Sequence, residues 1–247
     1  MSAYEFLLLL LAGVAAGLAG AMAGLASVIS YPALLAVGLS PVIANVTNTV
    51  ALVFSGLGST LGGRLELRGQ GRRMRVLGVA ATLGGALGAT LLLLTPADAF
   101  ERLVPVLIGF ASLCVLIPRP QAQRHPYGSD ARWVVAGVFA VSVYGGYFGA
   151  ASGVLMLALL LFATAESLPN SNAIKNAVLA LANGIAALGF VVFADVRWLA
   201  VLPLAIGFFA GGWVGPLVVR RLPARPLRLL IATAGLLVAI RLAVLTY

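Results

Sequence analysis

Eight residues from Pro169 to Asn176, Pro-Asn-Ser-Asn-Ala-Ile-Lys-Asn, put polar groups inside a lipid-like sequence, and they include Lys175, the single lysine of the chain. A charged side chain near the middle of a bilayer costs about 2.5–3.5 kcal/mol or more, so it persists where it meets an ion, a ligand or a partner. An ammonium in that setting suits an anion, by direct attraction or through a proton it exchanges. The bland alternative is a lysine that snorkels to the interface from a helix end, six residues after Pro169. Asn172 and Asn176 flank it, and Asn45, Thr47 and Asn48 form a similar cluster in the first half. These side chains either touch a substrate or tie helices together, interhelical amide bonds being worth about 0.6 kcal/mol on average. Both clusters fall at helix starts, where backbone N–H donors and the positive dipole end suit an oxyanion. Ser30 and Ser152 add hydroxyl donors, unless each bonds its own helix backbone.

The two clusters belong to a repeat. A shift of 129 residues carries Gly20 to Gly149, Gly24 to Gly153, Ala44 to Ala173 and Thr47 to Asn176. A shift of 127 carries Gly84, Gly85 and Gly88 to Gly211, Gly212 and Gly215. Each copy reads as a glycine pair, a short apolar run, a turn near Ser40-Pro41 or Pro169, and then Ala-x-x-Asn/Thr. Internal duplication of this kind is common in transporter folds. Gly20, Gly24, Gly149 and Gly153 either pack helices closely or free backbone to line a site.

Composition fixes the class. Of 247 residues, 62% are hydrophobic and 9% charged, with a mean hydropathy of +1.08, which excludes an ordinary soluble domain. One cysteine, Cys114, and one histidine, His125, leave no thiolate cluster and almost no metal ligands, so no metal or cofactor is expected. No histidine, carboxylate pair or Ser/Lys couple is placed for catalysis, and the chain is not read as an enzyme. The net charge of +9 comes from fifteen arginines concentrated in short loops, a pattern explained by membrane topology rather than by nucleic acid. The opening residues show no basic n-region or cleavage motif, and the first apolar run is read as a retained membrane segment.

In order, apolar runs cover about 4–18, 25–37, 42–61, 76–94 and 103–117 in a first repeat (1–118). After a cytoplasmic linker (119–132) with prolines, Gly128 and Ser129, they cover 133–144, 154–163, 169–193, 199–219 and 229–245 in a second repeat (133–247). Run 25–37, interrupted by Pro32, and run 154–163 are too short for a ~30 Å hydrocarbon core and are either half-helices or strained crossings. Arg64, Arg68, Arg72, Arg73 and Arg75 form the strongest cytoplasmic-loop signal, with Asp98, Glu101 and Arg102 in the next turn and Arg220, Arg221, Arg225 and Arg228 in a later basic loop. If every basic loop is cytoplasmic, each half crosses an odd number of times and the repeats are inverted. Five segments per half satisfy this, as do three crossings plus a re-entrant pair; eight plain spans would put the last arginines outside. The expected architecture is therefore an all-α polytopic membrane protein of 8–10 segments in two inverted repeats. Arg241 in the last run is read as an interface anchor beside Tyr247.

The stretch Gly20-Ala-Met-Ala-Gly24 through Pro32 to Ala44-Asn-Val-Thr-Asn48, followed by Tyr144-Gly-Gly-Tyr-Phe-Gly149 through Gly153, resembles the two signatures of the sulfite exporter TauE/SafE family over nearly the whole chain. Ala26 departs from it, standing where the resemblance leads one to expect glycine. The resemblance implies a multi-pass transporter of the cell membrane, in a bacterium the inner membrane, exporting small oxidised-sulfur anions such as sulfite or organosulfonates by alternating access. Its partners would be the anion and the lipid bilayer, with no nucleic acid; the sequence assigns no oligomeric state. An anion channel, or a transporter of another small organic acid, is the competing reading. The implied site comprises Lys175, Asn176, Asn172, Asn45, Thr47, Asn48, Ser30 and Ser152, with Gly20, Gly24, Pro32, Gly149, Gly153 and Pro169 shaping its backbone.

Overall fold

Two glycine-marked breaks organise the molecule. In the computed structural model, which describes residues 1–116, 132–164 and 166–218 and a few isolated positions beyond, α1 (Ala3–Ala23) stops at Gly24. Gly24 takes the left-handed conformation (φ 77°) and its N–H closes back on the carbonyls of Ala19 and Gly20. The chain reverses into α2 (Ala26–Ala36), whose eleven residues rise only about 16 Å. In the second half, α6 (Arg132–Tyr147) breaks around Gly149 (φ 79°) and Ala151 (φ 59°) and continues as α7 (Ser152–Ala163), about 18 Å long. Both short runs are thus half-length helices.

Between and after these hairpins run α3 (Pro41–Gly62), α4 (Gly71–Leu94), α5 (Ala97–Leu116), α8 (Leu168–Phe193) and α9 (Trp198–Val218). Pro41 and Pro169 each sit in a first helical turn, where the missing N–H costs nothing. Helices α1, α3, α4, α8 and α9 are long and apolar enough to cross a membrane. The described residues are all-helical apart from turns and short connections. Arg72, Arg73 and Arg75 belong to the first turns of α4, and Asp98, Glu101 and Arg102 to those of α5, not to the turns expected for them. Asp98 in a first helical turn faces the positive dipole end, which favours helix there. The linker 119–131, the loop arginines 220–228 and the last run, including Arg241, lie outside the described residues, save isolated helical positions in that run.

Two ends can be told apart by what meets there. Gly63, after α3, lines one small cavity with Pro169 and Asn172 at the start of α8. Val42 and Ile43 at the start of α3 line another with Val192–Asp195 at the end of α8. Helices α3 and α8 therefore run antiparallel. The start of α1 (Glu5) and the end of α2 (Val37, Gly38 and Leu39) share a cavity with Arg197, Leu199 and Ala200, so this hairpin opens at the end where α3 begins. Trp133 and Phe162 stack edge to face, ring centroids 6.2 Å apart, so α6 and α7 open together at the end where α8 begins. The hairpin tips meet in the interior, the Gly24 backbone lying against that of Gly153. Each first helix packs on the fourth helix of the other half, α1 on α9 and α6 on α4, and glycines line both seams.

An ionic cluster ties the arginine-rich end. Arg73 Nη1 donates to Glu166 Oε1 at 2.7 Å, and Asn170 Nδ2 donates to Glu166 Oε2 at 2.9 Å. The Asn170 amide first, then the Arg73 guanidinium, hold the Glu166 carboxyl below the usual carboxylate range. A depressed carboxylate contributes stability that is present above its unfolded-state pKa and lost as pH falls through the folded value. Glu166→Gln should accordingly cost about 1 kcal/mol near neutrality. It should also flatten the acid side of a melting-temperature profile taken in detergent; an unchanged profile would place the pair's worth at zero.

Candidate functional site

A cavity of about 50 Å³ lies where the two tips meet, several times the ~10–15 Å³ that one water requires. Helices α1, α2, α3, α6, α7 and α8 contribute its walls or approach it through the connecting turns. Ser27 in the first turn of α2 and Ser152 at the first position of α7 line it, so two half-length helices begin there, each bringing a positive dipole end. Gly20, Gly24, Gly149 and Gly153 line it too, with Ser55 and Ser59 from α3 and Lys175, Asn176 and Asn183 from α8.

Lys175 is completely buried, which discards the snorkelling alternative. Its Nζ donates to the carbonyls of Gly20 at 3.0 Å and Ala21 at 3.4 Å. These are last-turn carbonyls of α1 at its negative dipole end, a placement that favours a cation, and the Gly20 oxygen also accepts the Gly24 N–H at 2.8 Å. The same Ala21 oxygen accepts from Asn172 Nδ2 at 2.7 Å and Asn176 Nδ2 at 3.2 Å. Three donors converge on an acceptor with two lone pairs, so donor capacity at this point exceeds what the backbone can take up. Asn172 itself lines a neighbouring cavity of about 20 Å³ with Pro169, Gly63 and Glu66, and Asn176 lines both.

The first-half cluster has a different disposition. Asn48 lies between two α2 hydroxyls, accepting from Ser30 Oγ at 2.6 Å and donating Nδ2 to Ser27 Oγ at 3.0 Å. Ser30 also reaches its own helix at Ala26 O, 3.1 Å away. Asn45 Nδ2 donates to the carbonyl of Tyr147, the last residue of α6, at 2.9 Å, as the α8 amides do to the end of α1. Thr47 Oγ1 accepts from the Arg197 backbone N–H at 3.1 Å. Pro32 lies inside α2. Asn45, Thr47, Asn48, Ser30 and Pro32 thus surround the hairpins rather than line the central cavity, and Ser152 bonds Gly149 O at 2.8 Å from its wall. Truncating Asn48 leaves the Ser27 and Ser30 hydroxyls without this partner in a buried setting, where an orphaned polar group costs about 1–3 kcal/mol. Asn48→Ala should lower the melting temperature while anion selectivity, read from relative fluxes, stays the same; altered selectivity would move Asn48 into the site.

Ser55, Ser59 and Asn183 escape a reading based on clusters, although helical spacing carries them. Ser55 and Ser59 are one turn apart, and Asn183 lies two turns beyond Asn176 on the face that also presents Leu179 and Ala180. Among the described residues no group of histidine, cysteine and carboxylates could hold a metal.

Comparison with known proteins agrees with a transporter. The family model described as "Sulfite exporter TauE/SafE" matches residues 9–242. A "Probable membrane transporter protein" of Xylella fastidiosa is 28% identical over 222 residues, covering 87% of this chain and 83% of the relative. The "Probable membrane transporter protein YfcA" of Escherichia coli K12 is 26% identical over 205 residues, covering 81% and 75%. No solved structure matches the chain.

Proposed function

Since the chain belongs to the sulfite exporter TauE/SafE family, we propose that this membrane transporter carries a small oxidised-sulfur anion, sulfite or an organosulfonate, out of a bacterial cell by alternating access between two inverted repeats. The observation that carries the reading is the central cavity, where the starts of α2 and α7 and the buried Lys175 ammonium converge. Positive dipole ends and an ammonium attract an anion, and the serine hydroxyls offer further donors. On entry the anion takes over donors now crowded on Ala21 O, so binding exchanges one acceptor for another instead of exposing a bare cation.

Antiparallel α3 and α8, hairpins opening at opposite ends and the exchanged α1–α9 and α6–α4 seams support the inverted arrangement. The arginine-rich start of α4 would face the cytoplasm. Arg68→Cys and Asp195→Cys should then react with an impermeant thiol reagent from opposite sides of the membrane; labelling from one side would refute the topology.

Function is tested by flux in reconstituted vesicles across sulfite, sulfate, sulfonates and small carboxylates, with Asn176→Ala alongside. Saturable, protein-dependent flux of sulfite or a sulfonate is expected, weakened in the variant. Steady single-channel conductance would favour a channel, and carboxylate flux alone would favour an organic-acid carrier.

A further inference from the structure

Resting on that reading, we infer that Gly63 and Ala173 form the constriction through which the anion passes between the central cavity and the arginine-rich end of the molecule. Two cavities follow one another along both helices that wall them. Ser59 of α3 lines the central cavity, and Gly63, one helical turn further on, lines the cavity of about 20 Å³. On antiparallel α8, Asn176 lines both, while Ala173 and Asn172, closer to the helix start by up to one turn, line the second. The cavities thus share a wall and step together toward the end where Pro169 opens α8. The two cavities described at the opposite end share no lining residue with the central one.

The wall of the second cavity is polar where an anion would need it to be. Asn172 is buried, its Nδ2 is taken by Ala21 O, and its Oδ1 has no hydrogen-bond partner among the described residues. A buried carbonyl oxygen in this position gains from a donor, and the water that travels with an anion supplies one. Width is set by small residues. A volume of about 20 Å³ is room for one water and too little for a sulfur oxyanion, so the path is shut here in this conformation. Gly63 has φ −97°, which other residues adopt, so its backbone does not demand glycine. A methyl there would lie 3.4 Å from Ala173 Cβ and 3.1 Å from Ser59 O, filling the gap between α3 and α8. Glu66 also lines this cavity, from a turn that carries Arg64 and Arg68 as well, so the mouth bears both signs of charge.

The test compares flux with binding in the full chain. Gly63→Ala should lower sulfite flux in vesicles by about tenfold or more. The sulfite concentration that raises the melting temperature in detergent should stay within about twofold, since the central cavity is unaltered. Removing the facing methyl in the double variant with Ala173→Gly should restore flux. A second measurement does not depend on the added methyl: in a Cys114→Ala background, Ala173→Cys should react with a small impermeant thiol reagent from the side that labels Arg68→Cys, and faster while sulfite is carried. Normal flux in Gly63→Ala, flux lost together with sulfite stabilisation, no recovery in the double variant, or labelling of Ala173→Cys from the other side or from neither overturns the inference while the anion-carrier reading stands. Absence of sulfite and sulfonate flux in the unaltered chain overturns both.

Discussion

Lys175→Met should all but stop anion flux while the protein still folds. The two halves of this result come from different terms. Flux is expected to depend on the Lys175 ammonium that lines the central cavity; without it an incoming anion has serine hydroxyls, amides and the starts of α2 and α7 to replace its hydration. With so large a share of the favourable field removed, transport should fall by about a hundredfold or more, the scale on which buried charge pairs act. Stability follows another balance. A fully buried ammonium is costly to desolvate, and removing it spares that cost while taking away its hydrogen bonds to the Gly20 and Ala21 carbonyls. Asn172 and Asn176 continue to satisfy Ala21 O when the ammonium is gone. Flux in vesicles and the melting temperature in detergent together decide the matter: normal flux removes Lys175 from the mechanism, and a large loss of stability recasts it as a structural cap on α1.

Gly153→Ala has the largest expected structural effect. A methyl at Gly153 would overlap Gly24 Cα and lie 3.0 Å from the Gly24 carbonyl oxygen, so the clash is with backbone that belongs to another helix break and cannot turn aside. The tips would have to separate, taking with them the carbonyls that hold Lys175. Overpacking of buried sites typically costs about 1–3 kcal/mol, and a backbone clash on this scale belongs at or above the upper end. Folded yield and flux should both collapse. Gly184→Ala is the matched control, because nothing lies within 4 Å of a methyl there and alanine is the better helix former. Equal behaviour of the two variants would show that the tips are not in contact.

Much of the fold was legible in the sequence because membrane segments announce themselves by length and apolarity. The short runs 25–37 and 154–163 were visible as shorter than a hydrocarbon core, and they form helices of eleven and twelve residues. Pro41 and Pro169 fixed two helix starts through their fixed φ and missing N–H. The charged residues of α4 and α5 were assigned to turns since charge was weighed above position in a helix. The 129-residue shift brought together Gly24 and Gly153, which do touch. The polar clusters were harder to apportion. From spacing alone Asn48 and Asn176 look alike, yet Asn48 is held between two α2 hydroxyls while Asn176 lines the cavity. The difference depends on which carbonyls and hydroxyls a neighbouring helix presents, and that is set by packing. Ser55, Ser59 and Asn183 were passed over for the related reason that no cluster or charge marks them.

The Arg73–Glu166 pair has no twin under the repeat. The shifts of 127 and 129 that relate the halves carry Arg73 to Ala200 and Glu166 to Val37, two residues that line a common cavity at the opposite end. The arginine-rich end thus carries an ion pair where the matching positions at the other end hold an alanine and a valine. Dissolved electrolyte weakens an ion pair and leaves apolar positions untouched. The two ends of this protein are therefore expected to answer unequally to ionic strength.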